Sequence, residues 1–354
     1  MNRMKWSLCL ALAWLCVCPV ASWAADSLAW QKKTPDQWAA VLSAALEDGP
    51  ESKRPAIRDQ WYAAYALGEY GSEGLSPANV DVLLARFAKD LGQDDYVRAA
   101  VALTLGKSGD PRVVSVLTEA LNSDYVAIRR SAANALGLLG KQAADAVPVL
   151  EKTVKEDKDA TARSNAAVAL WSIAQSPEAL EYVRRTLAME KALDIYHGAS
   201  ALVRMQGELP ETDVTALAER LVVLTALAKI QEQDTARLCV DALVRLGKPA
   251  AETVRKAFQA ETNDTAKARL LTVLVSVDES ETLTEELLEL ASPKNDVPDV
   301  LRIAAIRGLR RAAPEKQEAV KALMVEWTKD TEAPRNVVHE ATLILSQQGT
   351  KETE

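Results

Sequence analysis

The side chains of this 354-residue chain that could do chemistry are few: two histidines, His197 and His339, and four cysteines. Acid–base and nucleophilic catalysis need such groups to converge with partners in a cleft. His339-Glu340 is the one adjacent imidazole–carboxylate pair, and a single pair supplies too few ligands for a metal centre. Cys239 occupies a position that Ala132 and Ala166 fill in related stretches. That is a small core-facing site, so the thiol reads as buried and inert. Gly137-Leu138-Leu139-Gly140 closes a helical pattern instead of opening one, the reverse of a phosphate-binding loop. No catalytic residue, metal ligand set or cofactor follows from this inventory.

Recognition chemistry is better represented. Arginine and aromatic side chains are the usual anchors of protein interfaces, and here they recur in a regular frame. Arg130, Arg204, Arg237, Arg245, Arg307, Arg310 and Arg311 fall on one set of offsets within that frame, with Lys107 beside them and only Glu69 and Asp241 opposing. Trp171 and Tyr196 share these offsets, as do Trp61 and Tyr65, in a chain with 5% aromatics. Arg98, Arg129, Arg163, Lys267 and Arg302 hold a further offset at which the repeat itself calls for a cation. These five are expected to form a ladder to the capping aspartates of neighbouring turns, such as Asp94, Asp124 and Asp159. The first group, which the repeat does not require, is the candidate binding surface. Trp61 is expected to cap the array under Trp38, and Trp171 either fills a seam or joins the surface.

The frame is set by Asp124 to Gly140, DYVAIRRSAANALGLLG. Ile128, Ala132, Ala135, Leu136 and Leu139 follow the i, i+4, i+7, i+8, i+11 stripe of an amphipathic helix. Asp124 suits its start and Gly140 its end. Related stretches begin at Asp59, Val97, Ala162, Asp194, Thr235, Ala266, Leu301 and Val337, and a second amphipathic segment separates each from the next. A period of this length belongs to stacked helical hairpins. The predicted architecture is therefore all-α, an α-solenoid of about nine hairpins and about seventeen helices over residues 51–350, with a capping helix from Pro35 and a polar tail at 351–354. The longest interval, from Asp194 to Thr235, predicts a lengthened helix over 212–230.

Residues 1–24 read as a signal peptide: Arg3 and Lys5 precede the apolar run LCLALAWLCVCPVA, and Ser22-Trp23-Ala24 suits cleavage. The run is short for a membrane span, so no stable membrane insertion is expected after cleavage, and the product is expected to be periplasmic or secreted. Cys9, Cys16 and Cys18 would leave with the peptide, so Cys239 would have no disulfide partner. The chain is net acidic at −8, which argues against a nucleic-acid coat.

The pattern V/I-R-x-x-A-A-x-A-L-G-x-x-G, closest at 128–140 and 97–109, resembles the HEAT-like repeats first grouped with phycobilisome lyases. The stretches at Asp194, Ala266 and Val337 lose its arginine or glycines. The resemblance implies a right-handed superhelix whose convex side carries the first helices and whose concave side carries the second. Within this repeat class, deoxyhypusine hydroxylase resembles a HEAT array holding two irons through several His-Glu pairs, of which this chain has one. Alkylpurine glycosylases of the class act on DNA, which export and acidity oppose. The expected function is an exported, non-enzymatic scaffold holding an acidic or extended protein partner along the concave face. The alternatives are a lyase-like or metal-dependent accessory enzyme and a binder of an anionic envelope polymer.

Overall fold

The computed structural model describes residues 33–47, 51–92, 94–227, 233–278 and 280–349. The expected signal peptide, most of the leader and the polar tail lie outside the described residues. Among the described residues there is no strand, and the helices follow one another in antiparallel pairs. The first three pairs are α1 (Pro35–Ala44) with α2 (Ile57–Gly74), α3 (Pro77–Ala88) with α4 (Asp95–Ser108), and α5 (Val114–Ala120) with α6 (Val126–Leu139). Next come α7 (Val147–Glu156) with α8 (Ala160–Ala174), α9 (Pro177–Leu187) with α10 (Ala192–Arg204), and α11 (Glu211–Leu227) with α12 (Gln233–Leu246). The last are α13 (Ala251–Ala260) with α14 (Asp264–Val277), α15 (Glu281–Ala291) with α16 (Asp299–Gly308), and α17 (Gln317–Lys329) with α18 (Arg335–Gly349). The expected capping helix is thus the first member of the first pair. The chain divides into two compact units, Met1–Leu139 and Gly140–Glu354.

Local sequence places the helix ends. Thr34 and Ser76 start α1 and α3 with reciprocal capping boxes to Gln37 and Asn79, each followed by a proline in the first turn. Asp159 Oδ1 accepts from the Ala162 amide at 2.8 Å, and Asn263 Oδ1 accepts from the Ala266 amide at 3.0 Å, which starts α8 and α14. Gly109 ends α4 in the left-handed region at φ 68°, a conformation that costs a side chain about 1 kcal/mol or more.

The even-numbered helices carry the repeated stretch. Its stripe is buried as read: Ile128, Ala132, Ala135 and Leu136 of α6 are each at most 1% exposed. In both units, successive even helices pack on one another more closely than successive odd helices do. Small residues at the crossings permit this. A Cβ built on Gly106 of α4 would lie 2.5 Å from the Ala135 Cα of α6, so only glycine fits there. The long interval yields α11, 17 residues long as the spacing suggested.

The ladder cations reach main-chain carbonyls of the preceding turn, and Arg98 also pairs with the Asp90 carboxylate at 3.2 Å. Arg98 donates to the Phe87 carbonyl at 3.0 Å, Arg129 to the Ser123 carbonyl at 2.9 Å, and Arg163 to the Asp157 carbonyl at 2.7 Å. Arg302 donates to the Ser292, Asn295 and Val297 carbonyls. Carbonyls at and after a helix end lack intrahelical donors, and a guanidinium fork supplies several at once. These four arginines therefore tie to the backbone of the preceding turn, while Lys267 lies over the Phe258 ring at 5.2 Å. Of the expected aspartate carboxylates, Asp94 is taken by Arg86. Arg86 Nη2 lies 2.6 Å from Asp94 Oδ2 and 2.9 Å from Gln60 Oε1, and the Arg86 and Asp94 side chains are 0% and 3% exposed. This buried cluster joins α2, α3 and the start of α4.

Candidate functional site

The candidate residues separate by their position along the even helices of the second unit. Those near the C-terminal ends of α8, α10 and α12 reach across to a neighbouring pair. Arg204 donates to Asn165 Oδ1 at 2.7 Å, and burial depresses its pKa. Arg245 donates to the Met205 carbonyl at 2.8 Å and the Gly207 carbonyl at 2.5 Å, with its pKa likewise lowered by burial. Trp171 is 3% exposed, and its indole N–H donates to the Gln206 carbonyl at 2.6 Å. Trp171 is therefore a seam residue whose ring is almost wholly covered. Arg204 and Arg245 are half-buried fasteners between consecutive helices. One repeat alone gives no sign of this, because the acceptors lie 35 to 40 residues away in the chain.

Arg307 and Arg310 remain exposed, but both are held by Glu340 of α18. Arg307 Nε lies 2.9 Å from Glu340 Oε1, and Arg310 Nη2 lies 3.1 Å from Oε2. Glu340 is 7% exposed, and its hydrogen bond from Arg307 pulls its pKa below the usual glutamate value. The carboxylate of the His339-Glu340 pair is thus committed to arginines. Among the described residues no group of three or more His, Cys, Asp and Glu side chains is arranged to hold a metal ion. Cys239 is buried, and burial pushes its thiol up to about 12, which leaves it protonated and unreactive. Tyr196 is half-buried and meets His197 edge to face at 5.7 Å, whereas Arg237 is exposed.

The first unit holds Arg130, half-buried on α6. Its aromatic candidates sit on α2, where Trp61 and Tyr65 stack at 5.7 Å and Lys107 of α4 lies over the Tyr65 ring at 5.9 Å. Lys107 also pairs with Glu69 at 3.0 Å. Trp38 packs against Tyr62, at 5.4 Å edge to face. The ring that meets Trp38 edge to face is thus that of Tyr62, next to Trp61 in the chain.

Two concavities lie in the second unit. One, of about 370 Å³, lies among Trp171, Leu180, Arg184 and the turn Glu208-Leu209-Pro210, where Arg184 is paired with Asp213. The larger, of about 720 Å³, runs between α14 and α16. Ala268 and Ala304 form its floor, Val275, Val300 and Ile303 its apolar walls, and Arg269, Arg307 and Arg311 its charged margin. No spacing rule singled out this groove. The signal was present in the repeat alignment: where α10 and α12 carry Tyr196 and Arg237, α14 carries Ala268.

No helix of the described residues is long and apolar enough to cross a membrane. Residues 51–137 match the family model for HEAT repeats. No curated protein matches the chain. Among solved structures it is similar to Kap95 in its complex with Nup1, at 11% identity and a TM-score of 0.51 over 94% of this chain and 47% of that one. It is similar to a mutant of Kap121p at 13% identity and a TM-score of 0.50, covering 96% of this chain and 40% of that one. The phycocyanin lyase complex of CpcE and CpcF from Nostoc gives 21% identity and a TM-score of 0.44 over 72% of this chain and 92% of that one. This chain spans about two fifths of the Kap121p chain it matches. Together with the helix pairs, the likenesses to Kap95 and Kap121p show an all-α solenoid fold, with the HEAT-repeat match over residues 51–137.

Proposed function

We propose that the protein is a non-enzymatic binding scaffold, exported after cleavage behind Ala24, that holds an acidic or extended protein segment against the exposed face of its even helices. In the second unit, Tyr196, Arg237, Arg307 and Arg310 serve this face, and in the first unit Arg130 serves its own. The carrying observation is that Arg237 and Arg307 on even helices, and Arg310 just after one, are exposed in a net acidic chain, while Arg204 and Arg245 are engaged between helices. An arginine-rich face steers and orients acidic partners. The likeness to Kap95, solved with Nup1, supports a fold suited to holding protein.

The test is photocrosslinking in the native host from a reactive residue at Arg237, with Lys256 of α13, on an odd helix, as control. A protein crosslinked at 237 through an acidic segment, in salt-sensitive fashion and not at 256, is expected. Equal capture from both positions, or none from 237, would refute the binding face. Export is checked separately: N-terminal sequencing is expected to begin at Ala25, and a chain starting at Met1 would overturn it.

A further inference from the structure

Along the groove between α14 and α16 the chain departs from the repeat pattern at Val275 and Gly308. Two glycine positions of the pattern in the first unit are Gly68 and Gly106, and at the latter α4 and α6 touch backbone to backbone. The matching position of α14 is Val275, whose bulk keeps α16 at side-chain distance. Gly308 then receives it: a Cβ built there would lie 2.7 Å from Val275 Cγ2. Toward the N-terminal ends, Ala268 and Ala304 leave the space between the helices unfilled. The outcome is a trough, about 720 Å³ in volume, closed at its C-terminal end where Arg311 Nη1 donates to the Val275 carbonyl at 3.2 Å.

The trough sorts its chemistry along its length. Val300, 40% exposed, and Ile303 lie toward its open end. Arg307 follows one turn further along α16, and Arg311 lies in the short turn after its end. From Thr265 to Ser276 its wall is about 16 Å long at the helical rise, the span of about five extended residues. Arg307 uses Nε and Nη2 on Glu340, and its side chain stays 60% exposed. Arg311 is also exposed. Arg269 on the facing helix donates to the Thr225 carbonyl, and Asp299 is the one carboxylate in the lining. The margin is thus net positive around an apolar floor, and an anionic side chain beside small apolar ones complements it.

We propose that this groove seats an extended protein segment of about five residues, with small apolar side chains against Val300 and Ile303 and a glutamate or aspartate side chain at Arg307 and Arg311. The inference rests on the binding-scaffold reading and gives it a seat in the second unit.

The test uses the full chain with methyl-labelled isoleucine and valine, titrated with two pools of blocked hexapeptides. Each pool alternates valine or isoleucine with serine, one carrying glutamate in the fifth position and the other glutamine. The expected result is saturable movement of the Ile303 and Val300 methyl signals with the glutamate pool, at least tenfold weaker with glutamine and weaker as salt rises. Thr272 is an exposed wall residue engaged in neither arginine contact. Thr272→Trp should lay a ring across the trough, keep the melting temperature, and abolish the titration. Equal response to both pools, undiminished binding by Thr272→Trp, movement only of methyls elsewhere, or no response at all would each overturn the groove. Crosslinking from Arg237 does not pass through these residues, so a positive result there alongside a negative titration would remove the groove and leave the scaffold reading. The opposite pair of results would remove the Arg237 face and leave the groove.

Discussion

At the scale of single residues, the charged side chains that matter most to folding are those the surrounding helices have taken out of water. Arg86 and Asp94 are almost wholly buried, and Arg86 also donates to Gln60 Oε1. Removing one partner leaves an uncompensated charge, which typically costs about 3–5 kcal/mol. Asp94→Ala is therefore expected to lower the urea midpoint severely. Asp81→Ala, which breaks the exposed contact with Arg112, should cost under about 1 kcal/mol. Glu340 makes a pH-dependent contribution. Arg307, and Arg310 beside it, hold its folded-state pKa below the ordinary 4.5. Its stabilisation is therefore present above the unfolded value and is lost as pH falls through the lower folded one. Melting curves taken from neutral into the carboxylate range should show a steeper acid limb for wild type than for Glu340→Gln. Equal limbs would mean that the two arginines do not hold Glu340 in solution.

At the scale of helices, the glycines of the repeat do different work in different pairs, and their environments rank them. A methyl on Gly106 would meet backbone, with Ala135 Cα at 2.5 Å and its carbonyl oxygen at 2.7 Å, so α4 and α6 must separate. A methyl on Gly68 would meet Thr104 Oγ1 at 3.0 Å and the end of Lys107, which can swing away. Gly106→Ala should thus cost about 1–3 kcal/mol, more than Gly68→Ala, even though alanine is the better helix former by about 1 kcal/mol. Denaturant titration of both variants decides this, and a Gly106→Ala protein as stable as wild type would contradict the close crossing. The same comparison explains why the helix pairs were legible in the sequence and the groove was not. Caps and the 3.6-residue stripe are written within each helix, so α6 could be read from Asp124 to Gly140. The trough depends on Val275 meeting Gly308 across two helices, and the fasteners depend on Arg204 and Arg245 reaching groups on the preceding pair. A pattern aligned repeat by repeat shows that such side chains share an offset, and it does not show whether they point at water or at a neighbour's carbonyl.

At the scale of the whole molecule, stability is assembled pair by pair. Within each unit, even helices pack against their own odd partners and against adjacent even helices, and the contacts between elements run to the next pair. Stacks of this kind behave as sums of local and nearest-neighbour terms, which makes the spread of damage a measurable property. Leu136 is fully buried in α6. Leu136→Ala deletes a core side chain and leaves a cavity, at a cost of about 2–5 kcal/mol. A globular core would distribute that loss over every amide whose protection depends on global unfolding. In a stack, the loss should concentrate where the contacts are. Native-state hydrogen exchange should accelerate in α4, α5 and α6 and remain at wild-type rates in α14 to α18, whose side chains share no neighbour with Leu136. Uniform acceleration along the chain would show that the repeats unfold as one cooperative body and would refute the pairwise account of stability.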